Sequence, residues 1–377
     1  MKKIYKLNKI FNLLISLFIC ISFFCGCSVN KSNKTNNSDN SIQNKSSTVS
    51  LGISEKNTAS SCTTILNIPA TTVPSSSKTL KNNPYPTLSV PTDVTKIGDT
   101  FFIVDCYHSQ IIYNNDLSAP LTEWKVLTDE ESSGYKMGHT IVGDNKGLFM
   151  ADDTENNRVL VFEKNKDGYI YSYFFENIGN KPHFMRYDKQ NDIFYCWSSY
   201  SGELFYFKKN SDNKVILEKK HRFAEEAQTY VRSFTIEDNK IYFVSGLASS
   251  PDNKYPAAIR CYSLDDYHLI KEYQVPDKIS GMVQLEHIKD YYYITVSTDI
   301  AGNQDFATII RTTSLDLLST EQYEDLYSQY FVGGGTPYYI GHIENDYYLT
   351  EHRLPAHSIW KFDIDNNSKI INTNTIY

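Results

Sequence analysis

The chain lacks the short motifs that identify the common classes of enzyme. It has no GxSxG elbow, no HExxH pair and no kinase signature. Its run Gly333-Gly334-Gly335 is followed by Thr336-Pro337 and not by the lysine and helix of a phosphate-binding loop. No motif therefore assigns it to the serine hydrolases, metalloproteases, kinases or P-loop ATPases.

Cysteine and positive charge are also scarce. The cysteines after residue 62 lie far apart and have no CxxC or zinc spacing, and we interpret Cys106, Cys196 and Cys261 as buried free thiols, although pairing in an oxidising compartment stays open. The 37 Lys and Arg residues against 44 Asp and Glu give a formal net charge of −7. No basic face is visible in the sequence, so we exclude nucleic acid as a partner.

The one long apolar run lies at the N-terminus. Residues 10–24 are almost entirely apolar and follow Lys2, Lys3, Lys6 and Lys9, as in a secretory signal peptide. The run is shorter than the ~20 residues that a membrane-spanning helix prefers. It ends in Phe-Cys-Gly-Cys, and Gly26 directly before Cys27 resembles the lipobox of bacterial lipoproteins, although Phe24 and Cys25 depart from the usual pattern.

This resemblance implies that residues 1–26 are a lipoprotein signal peptide, cleaved before a lipid-modified Cys27. The protein would then be anchored to the cell membrane on its extracytoplasmic face. A plain secretory signal and an uncleaved anchor are the alternatives. Residues 27–83 are rich in Ser, Thr, Asn and Lys and poor in large apolar residues, which predicts a disordered linker with a reach of roughly 40 Å.

Residues 84–377 show short β-branched and aromatic runs between polar turns, and no long helical pattern. The strongest strand recurs six times, beginning near Phe101, Leu148, Ile193, Ile241, Tyr291 and Tyr347, at spacings of 45 to 56 residues. Further strands fill each interval. Four strands per repeat of this length are typical of a propeller blade. We therefore predict an all-β, six-bladed β-propeller; two β-sandwiches are the alternative.

The second repeat carries a more specific likeness. It reads GLFMADDTENNRVLVFEK, in which a strand ends in Ala-Asp, a polar loop follows, and Arg158 opens the next strand. This resembles the NHL-type propeller repeat, with Asp152 or Asp153 as the matching acid. The first repeat keeps Asp105 but has Gln110 in place of the arginine, and the other four repeats depart further. NHL-type propellers host scaffolds, sugar-binding proteins, lyases and hydrolases, so the likeness does not choose a function.

One residue per repeat is predicted to start the innermost strand, at one mouth of the central channel. Counting back nine or ten positions from each strong strand places His139, His183 and Arg232 at one level in consecutive blades; the other blades supply Thr92, Met282 and Thr336 or Pro337. Three readings stay open: an anion or hydroxyl-rich ligand held by the arginine fork, a divalent metal held by the histidines, or a channel without a ligand.

Loops near the same face carry further candidate ligand-binding residues. Trp197, His352 and Arg353 combine aromatic and ionisable groups suited to sugar stacking and hydroxyl recognition. We expect a monomeric binding module for carbohydrate or another anionic envelope component, with no metal or other cofactor assigned. A metal-dependent lyase or hydrolase using the channel His and Arg, and a scaffold for a protein partner, are the alternatives, and the sequence does not decide whether the protein is an enzyme.

The anchor is testable by substitution. Cys27→Ser should leave the protein unlipidated and release it to the soluble fraction or the medium, because the acyl chains hold it on the membrane. Cell fractionation with mass spectrometry of the N-terminus measures this, and Cys25→Ser is the matched control. Retention of the Cys27→Ser protein on the membrane with an uncleaved N-terminus would instead identify a signal anchor.

Overall fold

The computed structural model describes residues 60–73, 81–166, 168–248, 255–352 and 356–377. They form six antiparallel sheets of four or five strands, and in each sheet four consecutive strands of the chain follow one another from the inner to the outer side. This is the predicted all-β, six-bladed propeller. Cys27 and the signal peptide lie outside the described residues.

Each blade begins with the strand that lies nearest the channel. The strands of the first three blades are β3 Pro91–Ile97, β4 Thr100–Asp105, β5 Gln110–Asn114 and β6 Lys125–Asp129; β7 Ile141–Gly143, β8 Leu148–Asp153, β9 Arg158–Asn165 and β10 Gly168–Phe175; β11 Pro182–Asp188, β12 Ile193–Ser198, β13 Glu203–Lys209 and β14 Val215–Arg222.

The strands of the last three blades follow the same order. They are β15 Thr229–Glu237, β16 Lys240–Ala248, β17 Ala258–Ser263 and β18 Leu269–Gln274; β19 Met282–Ile288, β20 Tyr291–Val296, β21 Thr308–Thr312 and β22 Glu324–Asp325; β23 Thr336–Ile343, β24 Asp346–His352, β25 Ile359–Ile364 and β26 Ile370–Thr375. The six strong strands of the sequence repeat are the second strands of the six blades.

Helix is scarce among the described residues. They contain two α-helices, α1 Glu130–Ser133 and α2 Tyr327–Tyr330, each of four residues, and the longest 3-10 helix is Leu315–Thr320. Within the described ranges, no helix has the length and apolar character needed to cross a bilayer.

The blades pack because their strands are apolar on both faces. In β12, Phe194 and Cys196 point toward blade 2, whereas the alternating Tyr195 and Trp197 point toward blade 4. Side chains of a strand alternate between faces, so such a strand buries all of them only when a sheet lies on each side. Six buried clusters result, one for each pair of adjacent blades.

The ring closes between blades 6 and 1 without a shared strand. Blade 6 supplies its own outer strand β26. The last residue, Tyr377, inserts into blade 1 instead. Its hydroxyl accepts a hydrogen bond from Trp124 Nε1 at 3.0 Å and lies 2.6 and 2.7 Å from the carbonyls of Leu117 and Ala119.

The predicted linker 27–83 is not structureless throughout. β1 Cys62–Pro69 pairs with the outer strand β14 of blade 3, and β2 Thr71–Thr72 pairs with β10 of blade 2. The side chains of β1 are mostly exposed, so backbone hydrogen bonds rather than core burial hold it. Low apolar content therefore gave the wrong prediction for these residues, because an exposed added strand needs little of it.

The Asp-Arg pattern of the second repeat joins the end of β8 to the start of β9. Arg158 Nε donates to Asp153 Oδ2 at 2.9 Å, so Asp153 is the acid of the pair. In blade 1, Gln110 Nε2 makes the equivalent bond to Asp105 at 3.2 Å. Among the described cysteines, Cys106, Cys196 and Cys261 are buried free thiols, as interpreted from the sequence, and Cys62 is an exposed one.

Stability should depend on the C-terminal tyrosine. Tyr377→Phe removes the hydroxyl and should lower the free energy of unfolding by about 1 kcal/mol. Tyr377→Ala also removes the ring from the closing interface and should cost about 2–3 kcal/mol. Urea denaturation measures both, with the exposed Asn374→Ala as control; equal stability of all three variants would contradict the role given to Tyr377.

Candidate functional site

Two of the predicted residues meet at the mouth of the channel. His139 lies two residues before β7 and His183 lies at the start of β11, so adjacent blades bring them to one level. Their rings stack with centroids 3.8 Å apart and planes 22° apart. Asp152 fixes the first of them, because it accepts the His139 backbone N–H at 2.9 Å and both the N–H and the hydroxyl of Thr140 at 2.7 Å.

His183 is held neutral by its surroundings. Its Nδ1 lies 3.0 Å from the carbonyl of Arg232, which can only accept, so Nδ1 carries the proton. Its Nε2 then accepts from the hydroxyl of Tyr338 at 3.3 Å. Burial, with added repulsion from His139 and Arg232, lowers the pKa of His183 well below its ordinary value. Both ring nitrogens are thus engaged.

Tyrosines complete the wall of the mouth. Tyr338 of blade 6 lies across the ring from His183 and stacks on His352, with centroids 4.6 Å apart. Tyr230 meets the edge of the His183 ring at 5.9 Å and the exposed Tyr200 at 5.2 Å. A run of rings therefore surrounds the histidine pair.

Arg232, the third predicted residue, lies beside this wall. Its Nη1 donates to Ser297 Oγ at 2.9 Å and to the carbonyls of Gly281 and Met282 at 3.4 and 3.3 Å, and its guanidinium carbon lies 5.1 Å from the Tyr230 ring centre. In the part of the chain that the structure describes, no carboxylate forms an ion pair with it. By contrast, four other arginines pair with acids: Arg158, Arg186, Arg260 and Arg311.

The stacked histidines do not suit a shared metal ion. A metal lies in the plane of each imidazole that ligates it, and two nearly parallel planes at stacking distance do not meet near the rings. Among the described residues, no group of three or more His, Cys, Asp and Glu side chains is arranged to hold a metal. His139 and His183 therefore line the mouth and do not form a metal-chelating pair.

Contacts across the ring lie beneath the mouth. Phe184 of blade 3 and Tyr339 of blade 6 face each other across the ring with centroids 5.9 Å apart. Further along the same strands, Arg186 of blade 3 forms an ion pair with Glu286 of blade 5. These aromatic and ionic contacts form the floor of the mouth.

Asp93 is a buried acid at this level of blade 1. One of its oxygens accepts the Ile141 N–H at 3.1 Å, and the other has no hydrogen-bond partner among the described residues. Burial, with added repulsion from Asp152, raises the pKa of Asp93 to about 7 against the opposing effects of the Ile141 N–H and of Arg186. The carboxyl therefore holds its proton in weakly acidic solution.

Other predicted site residues lie elsewhere. Trp197 is fully buried between blades 3 and 4, where Nε1 donates to the Val231 carbonyl at 3.0 Å and the ring packs on Phe243. Its assignment to ligand binding is wrong, because strand alternation directs it into the core. Thr92, Met282 and Thr336 are also buried. His352 joins the mouth through Tyr338, and Arg353 lies outside the described residues.

Sequence reasoning missed Tyr230 and Tyr338. The counting rule assumed regular strands, but the register of the first strand shifts in five blades, and in blade 6 the shift lies between Pro337 and Ile340, next to Tyr338. Tyr230 precedes Arg232 by two residues on β15 and so shares its face. The two-residue spacing between Tyr230 and Arg232 could have identified Tyr230 from the sequence. We recognised no feature of the sequence that indicates the bulge near Tyr338.

The protonation of Asp93 gives a stability prediction. Its pKa is higher in the folded than in the unfolded protein, so its contribution to stability is present in acid and is lost as the pH rises through about 7. Asp93→Asn removes this loss and should raise the free energy of unfolding by about 1–3 kcal/mol near pH 8, with little effect near pH 4, where the carboxyl is largely protonated in the folded protein and about half protonated in the unfolded one. Urea denaturation at both pH values tests this; an equal effect at both would show that the titration of Asp93 is not the cause.

Comparison with known proteins adds information on the fold only. No protein-family model matches the chain, and no curated protein matches its sequence significantly. The fold is similar to a solved streptogramin B lyase, at 13% identity and a TM-score of 0.51, over 79% of this chain and 86% of that one. It is also similar to a protein from Bacteroides fragilis NCTC 9343 assigned as a 6-phosphogluconolactonase, at 12% identity and a TM-score of 0.51, over 77% and 84% of the chains. At these identities the likeness concerns the fold alone.

Proposed function

We propose that this protein is a lipid-anchored binding module on the extracytoplasmic face of the cell membrane. Its ligand is a carbohydrate or another envelope component that carries a carboxylate or phosphate, and it binds at the mouth of the propeller. The observation that carries this proposal is Arg232, a half-buried guanidinium without a carboxylate partner among the described residues.

The surroundings of Arg232 favour an anion as its missing partner. Removing a cation from water without a counter-charge is unfavourable, and this protein pairs four other arginines with acids. Contacts of Nη1 with Ser297 and two carbonyls fix the position of the group. A planar fork held in this way presents its remaining N–H groups to a carboxylate or phosphate in two-point geometry.

Rings next to the arginine suit a sugar. Tyr200 is exposed and lies 5.2 Å from Tyr230, whose ring lies against the Arg232 guanidinium. A pyranose can stack on such a surface while its acidic group reaches the arginine. His139 and His352 are partly exposed beside them and can hydrogen-bond hydroxyl groups.

Binding is favoured over the lyase and hydrolase alternatives by the state of the histidines. His183 is neutral and buried, and its two nitrogens already contact Arg232 and Tyr338. It therefore has no free nitrogen with which to take a proton from a substrate or to ligate a metal. The streptogramin lyase and the lactonase-like protein share the fold with this chain, and that likeness does not transfer their chemistry.

Arg232→Ala tests the proposal. Titration calorimetry with glucuronate, glucose 6-phosphate and glucose should give binding of the two anions to the original protein and a loss of about 2–5 kcal/mol in the variant. Lys361→Ala is the matched control, because it removes the same charge from an ion pair with Asp346 on the outer surface. Arg232→Lys should recover part of the affinity, since lysine keeps the charge but not the fork.

Equal losses of anion affinity in Arg232→Ala and Lys361→Ala would mean that the net charge of the protein, and not a site at the mouth, accounts for anion binding. Binding of glucose as tight as that of glucuronate would remove the role given to the guanidinium. Mass spectrometry of the N-terminal peptide tests the anchor independently, through the mass of the diacylglycerol on Cys27.

A further inference from the structure

The thiol of Cys106 lies against His139 in the wall of the mouth. Its Sγ is 3.9 Å from Nε2 of the imidazole, with hydrogen-bond geometry. Cys106 comes directly after β4 of blade 1 and His139 lies before β7 of blade 2, so two adjacent blades bring the pair together. The anion site proposed above makes no use of this sulfur.

The other ring nitrogen of His139 is held by a hydroxyl. Nδ1 lies 3.0 Å from Thr154 Oγ1. This hydroxyl has a single proton, and its other neighbours, the Pro182 carbonyl at 2.7 Å and Asp152 Oδ2 at 2.9 Å, are acceptors. Thr154 therefore donates to one of them and accepts from Nδ1, which leaves the lone pair of Nε2 directed toward the sulfur. A histidine that ligates a metal is fixed in the same way, by a hydrogen bond from its second nitrogen.

The surroundings of the sulfur disfavour an anion and favour a cation. Cys106 is fully buried, and burial together with the negative charges of Asp152 and Asp105 raises the pKa of its thiol well above the ordinary value. Both carboxylates are themselves fully buried. A cation on the sulfur is attracted by these acids, and it neutralises the thiolate to which it is bound.

The number of ligands selects a soft metal ion. Among the residues that the structure describes, no third His, Cys, Asp or Glu side chain completes a set with this pair. Zinc in a structural site takes a full tetrahedron of protein ligands, whereas thiolate sulfur selects Cu(I), which is stable with fewer ligands. At the bond lengths of protein metal sites, about 2.3 Å to sulfur and about 2.1 Å to nitrogen, the two bonds together exceed the 3.9 Å between Sγ and Nε2. An ion therefore fits between the two atoms on a bent line.

The mouth gives access to the pair. The side chain of His139 is 15% exposed. Burial raises the pKa of the Tyr230 and Tyr338 hydroxyls, and Cys106 is close enough to both to add to this effect. The sulfur thus lies beside the rings that surround the mouth, and an ion can reach it from there past the partly exposed His139 ring.

We propose that Cys106 and His139 form a binding site for Cu(I). The thiol proton passes to solvent as the copper–sulfur bond forms, so each bound ion releases one proton and the copper keeps its oxidation state. The ion lies between blades 1 and 2, on a different set of ligands from the anion at Arg232. This inference goes beyond the proposed binding function and does not depend on it.

Competition with a chromogenic Cu(I) chelator, in the absence of oxygen, measures the site. The full chain is used with serine in place of the cysteines that lie before the propeller. These substitutions are Cys20→Ser, Cys25→Ser, Cys27→Ser and Cys62→Ser. The remaining thiols are all buried. This protein should bind one equivalent of Cu(I), and X-ray absorption should show one sulfur and one imidazole nitrogen bound to the metal.

Matched variants assign the ion to the pair. Cys106→Ala should lose the bound equivalent, and so should His139→Phe, which keeps a stacking ring but has no nitrogen. Cys196→Ala removes an equally buried thiol that contacts no histidine in the described ranges, and it should keep the copper. Circular dichroism checks that each variant is folded. Because His139 is partly exposed, its variant still tests the site if loss of the buried thiol unfolds the chain.

Absence of Cu(I) from the starting protein, its retention in Cys106→Ala, or an equal loss in Cys196→Ala would overturn the site. So would two sulfur ligands on the metal, because the site offers one. Zn(II) bound as tightly as Cu(I) would overturn the choice of a soft ion. Arg232→Ala should keep the copper: if anion binding is lost in that variant while no protein binds Cu(I), the copper site fails and the binding function stands. If Cu(I) binds as expected but Arg232→Ala binds anions normally, the binding function fails.

Discussion

The burial of both faces of every sheet is the requirement on which this structure depends. A strand such as β12 directs aromatic side chains to both sides, and neither side can be left to water without losing ~25 cal/mol for each Å² of apolar surface. A blade therefore needs two neighbours, and only a closed ring supplies two neighbours to every blade. The ring closes at the interface between blades 6 and 1, where the packing of Tyr377 takes the place of a shared strand.

The same ring brings polar groups together at its axis. The first strands of six blades converge there, so side chains from distant parts of the sequence share a small volume with little water. At the floor of the mouth, an ion pair and aromatic rings from opposite blades contact one another across the channel. Asp93 and His183 respond by favouring their neutral forms: burial raises the pKa of the acid to about 7 and lowers that of the histidine. Arg232 cannot lose its proton, and it remains charged.

The fold was predictable because the features that define the repeat are visible in the sequence itself. Strong strands at regular spacing with polar turns between them identify blades, and their number gives the ring. The level of His139, His183 and Arg232 followed from the same spacing, and the stacking of the two histidines agrees with it. Trp197 was misplaced because it ends a strand next to a loop, where sequence alone does not tell which face of the sheet it takes.

Two other features had no signal in the sequence pattern. The bulge that turns Tyr338 toward His183 is a local shift of backbone register, and nothing in the residues Pro337-Tyr338-Tyr339 distinguishes it from a regular strand. β1 was not predicted from the sequence, because an added edge strand is held by backbone hydrogen bonds, and any sequence without many prolines can make these. Composition therefore located the core correctly and failed where the backbone alone determines the structure.

The place where β1 joins the propeller determines how mechanical load enters the molecule. Tension from the N-terminal side arrives first at Cys62, on the outer edge of blade 3, across the ring from the seam between blades 6 and 1. If it pulls along the strand direction, the backbone hydrogen bonds between β1 and β14 share the force instead of breaking one at a time. The junction of blades 6 and 1, where the two ends of the ring meet, lies far from this point. A protein held at a surface and pulled by its surroundings would thus lose its added strand before its ring opened.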